Sequence, residues 1–350
     1  MVERRLSENR VEWIDVCKGI GIFLVVLGHV YQDNPAKTWI YSFHMPLFFF
    51  LSGYLFDRDK FTYNQFIKKK VLSLVLPYFS FAIICYLYWA GIERYFRPKS
   101  MGVDLYEPIL AYLYGTRSSG MEPNMVLWFL ACLFVTEIMF FVISRNLRRK
   151  DLICLALVLF SVNGYWGLYR GFRMPWSIDA AFNAIVFYGL GYLIKENLSG
   201  IKVWLKAILG RKVVFAILIF GLGFVVSTKN GYTTIDHNMN SYMYYYLASL
   251  SGIGALVLLS KSIKWPGFVI FWGRNALIIL GLHDAPKRIV IKGVSVITNI
   301  PTDPLRDSFL GGILCSVLIM LFLAPVIWVI NKHFGFLLGR FGKRETLSKA

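Results

Sequence analysis

Charged side chains are scarce in this sequence: they make up 17% of its 350 residues, against roughly 25% in a typical soluble domain. Hydrophobic residues make up 57%, enough for about ten bilayer crossings of about 20 residues each. This balance excludes a disordered chain and an ordinary soluble enzyme. We therefore predict an all-α fold, a polytopic membrane bundle of about ten transmembrane helices.

Cysteine is also scarce, with five residues in the chain. All five lie inside apolar runs: Cys17, Cys85, Cys132, Cys154 and Cys315. Thiols in such runs behave as small hydrophobes. The sequence therefore predicts neither a disulfide framework nor a metal site.

Acidic residues are few, 20 against 38 basic ones, which leaves a net charge of +18. The basic residues lie in short loops between apolar runs, and such charges set the orientation of membrane helices. We therefore expect them to determine topology and not to bind nucleic acid.

Ten apolar spans are predicted along the chain. They cover residues 14–32, 38–56, 71–91, 125–144, 152–168, 177–194, 213–228, 241–260, 267–286 and 308–330. An even number places both termini on one side, and the loops on that side carry about twice as many basic residues, which predicts cytoplasmic termini. We expect one integral-membrane domain over 1–350, with cytoplasmic tails at 1–13 and 331–350 flanking a bundle at 14–330.

Ionisable side chains inside the spans are the informative ones, because each costs roughly 2.5–3.5 kcal/mol to insert and so faces a cavity or a partner. In the first span, Lys18 and His29 are eleven residues apart, so they share a helix face about 16 Å apart along the axis. Asp15 lies three residues before Lys18 and is placed to pair with it.

The ninth span repeats this order, with Arg274-Asn275 followed nine residues later by His283. A further histidine, His44, is predicted near the outer end of the second span. Two helices with a cation deep in the membrane and a histidine further out are suited to line one polar path.

An acidic residue, Glu137, follows Trp128-Phe129-Leu130 inside the fourth span. It is placed to orient a histidine, to balance Arg274 or to form an ion pair between helices. All three interpretations are open from the sequence.

The first two spans closely resemble the bacterial membrane acyltransferase-3 family. Its hallmark is an arginine, ten residues and a histidine in the first membrane helix, followed by a segment of the type of Phe43–Tyr54 here. This chain has Lys18 in place of the arginine, as in the branch likened to fucose O-acetylases. Trp128-Phe129-Leu130 and the stretch from Gly273 to His283 are similar to its later landmarks.

The resemblance implies an acyltransferase of the bacterial cytoplasmic membrane. Such a protein moves an acyl group, usually acetyl, from cytoplasmic acyl-CoA to a hydroxyl of an extracytoplasmic carbohydrate such as an exopolysaccharide or capsule. By resemblance, His29 is the expected catalytic residue and Lys18 its basic companion. The partners are then acyl-CoA as co-substrate, the carbohydrate and the bilayer, with no bound cofactor.

The chemistry assigns an expected role to each candidate. An imidazole is suited to take a hydroxyl proton or to carry the acyl group, and Lys18 and Arg274 are suited to bind the CoA phosphates. The residues expected to contact the acceptor or support the site are His44, Glu137, Asn275, His283, Asp15 and Trp128. The acyl group, and direct or two-step transfer, stay open.

A transporter or flippase for a glycan or a small anion is the main alternative, because intramembrane charges also mark transport paths. The two halves of the chain show no repeat of the kind common in transporters. A glycan polymerase is a third possibility.

Overall fold

A computed structural model describes residues 11–117, 119–197 and 212–341. These residues form helices joined by loops, with an isolated bridge between Thr234 and Asn238. The predicted all-α class is confirmed. Most of the predicted tail at 1–13, and residues 342–350 of the second tail, lie outside the described residues.

Fifteen helices follow one another in the described ranges. They are α1 Glu12–Val30, α2 Pro35–Leu55, α3 Tyr63–Phe96, α4 Pro98–Met101, α5 Tyr106–Tyr114, α6 Trp128–Asn146, α7 Lys150–Tyr169, α8 Ile178–Glu196, α9 Lys212–Asn230, α10 Tyr242–Ser262, α11 Gly267–Arg274, α12 Ala276–Leu282, α13 Asp284–Thr298, α14 Thr302–Asp307 and α15 Phe309–His333. Eight of them are long and apolar enough to cross a membrane: α1, α3, α6, α7, α8, α9, α10 and α15. They correspond to eight of the ten predicted spans.

The second predicted span is the 21-residue helix α2, which lies in the interior of the bundle. It packs against α1, α8 and α10 and buries Phe43, Leu47 and Phe49 completely. Its polar residues face other helices, as polar groups in a membrane bundle usually do. This helix therefore needs less apolar surface than one that faces lipid on most sides.

The ninth predicted span, 267–286, is not one continuous helix. It is divided into α11, α12 and the start of α13, with breaks at Asn275 and His283. The Asn275 side chain donates to the carbonyl of Phe271 at 2.8 Å and accepts from Asn331 at 2.7 Å. An asparagine that bonds nearby backbone competes with the helix ladder, which accounts for the first break.

Two glycines hold the broken segment against the first helix. A side chain at Gly19 would collide with the carbonyl oxygen of Val269, and one at Gly273 with that of Asp15. Small residues allow helix backbones in a membrane to touch. The contact brings the neighbours of these glycines, Lys18 and Arg274, to the same part of the bundle.

Candidate functional site

One cavity lies where helix α1 ends, and we call it the histidine cavity. It has a volume of about 210 Å³ and is lined by His29 from α1, by Tyr41 and His44 from α2, and by Trp128 from α6. The lining also includes charged residues from loops and from α13: Arg97, Arg117, Glu122, Asp236, Asp284, Lys287 and Arg288.

The second cavity, of about 220 Å³, lies towards the start of α1, and we call it the lysine cavity. Its cations are Lys18 and Arg274, which come from α1 and α11. Its other residues are mainly apolar: Ile22, Phe48, Ser52, Leu74, Phe129, Leu130, Leu133, Gly273, Ala276, Leu277 and Leu280. The sequence prediction that Lys18 and Arg274 share one site is consistent with this arrangement.

Consecutive residues of helix α6 border the two cavities. Trp128 lines the histidine cavity, whereas Phe129 and Leu130 line the lysine cavity. On α2, Met45 lines the histidine cavity and Phe48 lines the lysine cavity. The rings of Phe48 and Phe129 lie 6.0 Å apart. The two cavities therefore adjoin the same helices.

Three histidines are held in the same tautomer by their own helices. The Nδ1 atom of His29 is 2.7 Å from the carbonyl of Val25, and that of His44 is 2.7 Å from the carbonyl of Ile40. The Nδ1 atom of His283 lies 3.0 Å from the carbonyl of Ile279. Because a carbonyl oxygen only accepts hydrogen bonds, Nδ1 carries the hydrogen in each of the three rings. In the neutral ring, Nε2 then keeps its lone pair.

Two of these histidines form a close pair. The ring centroids of His29 and His283 are 5.2 Å apart, at an interplanar angle of 65°. His29 is half-buried and lines the cavity, whereas His283 is fully buried. Among the residues that the structure describes, no group of three or more His, Cys, Asp and Glu side chains is arranged to hold a metal ion.

Ion pairs connect the charged residues on one side of the histidine cavity. Asp284 pairs with Lys287 and Arg288, which are one helical turn further along α13. Arg288 also pairs with Glu93, and Arg97 bridges Glu93 at 3.4 Å and Glu122 at 2.5 Å. This network ties α13 to the end of α3 and to the loop that follows it.

The other side of the histidine cavity is formed by the loop between α9 and α10. Arg117 pairs with Asp236 at 3.3 Å, and Arg173 donates to the Asp236 carbonyl at 2.6 Å. Burial raises the pKa of the Tyr232 phenol above its ordinary value. Its ring lies 5.0 Å from that of Tyr41.

Three further predicted site residues have partners outside the histidine cavity. Asp15 pairs with Arg274 at 3.2 Å, across the contact between α1 and α11. Glu137 pairs with Lys70 at 2.5 Å, which favours the interhelical ion pair among the three interpretations of this residue. Asn275 is not among the residues that line either cavity.

Sequence reasoning missed the charged residues around the histidine cavity. It treated Arg97, Arg117, Lys287 and Arg288 as loop charges that set topology, and it gave no role to Asp236 or Asp284. Acidic residues within otherwise basic loops of the predicted outer side were the available signal. Their partners are distant in sequence, as in the pair of Glu93 and Arg288.

Comparison with known proteins places the chain in a family. Residues 11–331 match the family described as acyltransferase domain, of the acyltransferase-3 type. The nodulation protein NolL of Mesorhizobium japonicum is 26% identical over 249 residues, which is 66% of this chain and 60% of that protein. NolL of Sinorhizobium fredii is 47% identical over 60 residues, 14% of this chain and 16% of that protein.

The matched regions thus span 60% and 16% of the length of these two relatives. No solved structure matches the chain. The family match covers both cavities and every predicted site residue. It confirms the resemblance seen in Lys18–His29 and Phe43–Tyr54: the chain belongs to the acyltransferase-3 family.

Proposed function

We propose that this protein is an O-acetyltransferase of the bacterial cytoplasmic membrane. It moves an acetyl group from cytoplasmic acetyl-CoA to a hydroxyl of a carbohydrate on the opposite side. In this proposal the lysine cavity receives the donor, the histidine cavity receives the acceptor, and both termini are cytoplasmic.

The lining of the lysine cavity supports an acyl-CoA donor. Coenzyme A joins a phosphate-bearing nucleotide to a slender pantetheine arm that ends in the thioester. Lys18 and Arg274 supply cations for phosphate, and the apolar lining suits the arm.

The histidine cavity supports proton transfer from an alcohol. A neutral hydroxyl is a poor nucleophile, and a positioned imidazole accelerates its reaction by roughly 10²–10⁴-fold. His29 has its Nδ1 committed to Val25, so its Nε2 is the atom available to a substrate. In the proposed reaction the acceptor oxygen bonds to the acyl carbon, its proton moves to Nε2, and the carbon–sulfur bond breaks.

The surroundings of His29 support a carbohydrate acceptor. Sugar hydroxyls both donate and accept hydrogen bonds, and the cavity offers both acids and cations around Tyr41 and Trp128. The charged residues there include three acids and four cations, most of them joined in ion pairs. Such a lining suits a neutral, hydroxyl-rich ligand better than one of high charge.

One observation carries the proposal: His29 lines one cavity and Lys18 the other, on a single helix. Their spacing of eleven residues corresponds to about 16 Å, a distance that an extended pantetheine arm is long enough to bridge. Donor and acceptor are thereby able to meet from opposite ends of α1.

Acetyl transfer by the purified protein tests the proposal. The protein is reconstituted in lipid with radiolabelled acetyl-CoA and with surface glycans extracted from a strain that lacks the gene. Label is expected in the glycan with the wild type, and His29→Ala is expected to reduce transfer by roughly 10²–10⁴-fold. His333→Ala, at the exposed end of α15, is the matched histidine control and is expected to transfer normally.

Two results would contradict the proposal. Near-normal transfer by His29→Ala would reject the catalytic role of this residue. Movement of glycan across the membrane with no dependence on acyl-CoA, and with no gain of acetyl, would instead favour the transporter.

A further inference from the structure

His283 has an unsatisfied nitrogen beside the proposed catalytic histidine. Its Nε2 is fully buried and has no hydrogen-bond partner among the residues that the structure describes. A buried polar atom left without a partner costs about 1–3 kcal/mol. We therefore expect His283 Nε2 to gain a hydrogen-bond partner at some stage of the reaction.

The position of His283 is fixed from two directions. Its Nδ1 is held by the carbonyls of Ile279 and Leu280. The last turn of α12 is held in turn by Asn124, whose amide donates to the carbonyl of Gly281 at 2.7 Å. The ring is therefore a rigid neighbour of His29.

The missing partner of His283 Nε2 is a hydrogen-bond donor, which a proton added to His29 would supply. In the neutral pair both Nδ1–H groups are already used, so neither Nε2 is able to donate to the other. The ring centroids are 5.2 Å apart, a separation at which an N–H···N hydrogen bond of about 2.7–3.2 Å fits between two imidazoles. One added proton would satisfy the buried nitrogen.

We propose that His283 is a positioning residue that acts through His29 by stabilising the protonated form of that ring. The inference rests on the proposed function, in which His29 Nε2 takes the proton of the acceptor hydroxyl. The lone pair of His283 is preorganised beside the positive charge that develops on His29, and such preorganised groups lower reaction barriers.

The proton balance of the reaction is complete. The acceptor O–H bond breaks and its proton forms the Nε2–H bond of His29, while the oxygen bonds to the acyl carbon. With the proton on His29 and sulfur still bonded to the acyl carbon, the Nε2–H group of His29 hydrogen-bonds to His283 Nε2, which stabilises this charge-separated intermediate and the transition state that leads to it. The carbon–sulfur bond breaks with its electron pair on sulfur, and the proton passes from His29 to the thiolate to give CoA.

Two nucleophiles that differ in their need for a base test this role. The glycan acceptor must lose a proton, whereas neutral hydroxylamine attacks a thioester without a base and gives acetohydroxamate. His283→Phe keeps a ring but no acceptor atom, and His283→Gln offers an amide oxygen. His333→Phe is the matched control, and the rate without protein is subtracted.

We expect His283→Phe to reduce kcat for the glycan by about 10- to 100-fold, the worth of a hydrogen bond to a charged group. Its KM for acetyl-CoA and its rate with hydroxylamine are expected to stay within about twofold of the wild type. His283→Gln is expected to recover most of the lost rate. Equal losses with both nucleophiles would assign His283 a purely structural role and overturn the inference.

Normal glycan transfer by His283→Phe would also overturn the inference while leaving the proposed function intact. A wild-type protein that acetylates neither nucleophile would overturn both. The two failures are therefore distinguishable.

Discussion

The two cavities are built from different parts of the chain. Every residue that lines the lysine cavity belongs to a helix, and most are apolar. The histidine cavity takes its histidines from helices, but much of its charged lining comes from loops and from the short helix α13. A fixed apolar site within the bundle thus adjoins a polar site whose outer parts are held together by ion pairs.

Under the proposed function, the two ends of α1 serve different substrates. The helical lining suits the part of a substrate that never changes, such as a coenzyme. The loop lining suits the part that varies between proteins, such as a particular sugar. Three substitutions test this comparison, in order of decreasing expected effect.

Reversing the charge in the lysine cavity is expected to have the largest effect. Lys18→Glu places a carboxylate where phosphate is expected to bind, so we expect the KM for acetyl-CoA to rise by about 100-fold or more, since like charges repel strongly at a poorly solvated site. Lys18→Arg keeps the charge and is expected to stay active. Steady-state kinetics with varied acetyl-CoA measure both variants.

Lys68→Glu, on an exposed position of α3 outside both cavities, is the control for this charge reversal. If the KM for acetyl-CoA is unchanged in Lys18→Glu, the lysine cavity is not the donor site.

Filling the contact between α1 and α11 is expected to have the next largest effect. Gly273→Ala places a methyl group against the carbonyl of Asp15, and overpacking of this kind costs about 1–3 kcal/mol. Thermal unfolding in detergent is expected to begin at a lower temperature. Gly221→Ala in α9, where a side chain meets open space, is the matched control and is expected to be neutral or stabilising.

A Gly273→Ala variant as stable as Gly221→Ala would show that the two backbones do not touch. The position of Arg274 beside the lysine cavity would then lose its structural explanation.

Loosening the loop side of the histidine cavity is expected to have the smallest effect. Asp236→Asn removes the charge that holds Arg117, and we expect the KM for the glycan to rise by about tenfold, the worth of one charge-assisted hydrogen bond. The KM for acetyl-CoA is expected to stay unchanged. Asp151→Asn, an exposed residue paired with Arg149, serves as the control.

A parallel rise in both KM values for Asp236→Asn would contradict the division of the two substrates between the two cavities.

The sequence was sufficient to predict the residues whose arrangement is local. The spacing of Lys18 and His29 follows from the geometry of one helix, and hydropathy located the long apolar helices. The break at Asn275 was not predicted, because the surrounding residues are apolar and hydropathy does not distinguish a continuous helix from an interrupted one.

The pairing of distant residues was beyond the sequence for a different reason. The ion pairs of Arg274 with Asp15 and of Glu137 with Lys70 form only after the helices have packed. The Nδ1 bonds of the three histidines follow from local helix geometry. The contact of His283 with His29, in contrast, depends on how α12 is placed against α1.

Consecutive residues of α6 border different cavities, and this has a consequence for how such a protein diversifies. Trp128 and Phe129 are neighbours in the chain but border different cavities, so a shift of the backbone in this stretch would reach both compartments. Exchange of the loops around residues 117 and 236, in contrast, reaches only one compartment. Under the proposed function, new sugar preferences are thus open to gradual change at the periphery, while the helical cavity proposed for the coenzyme is kept intact.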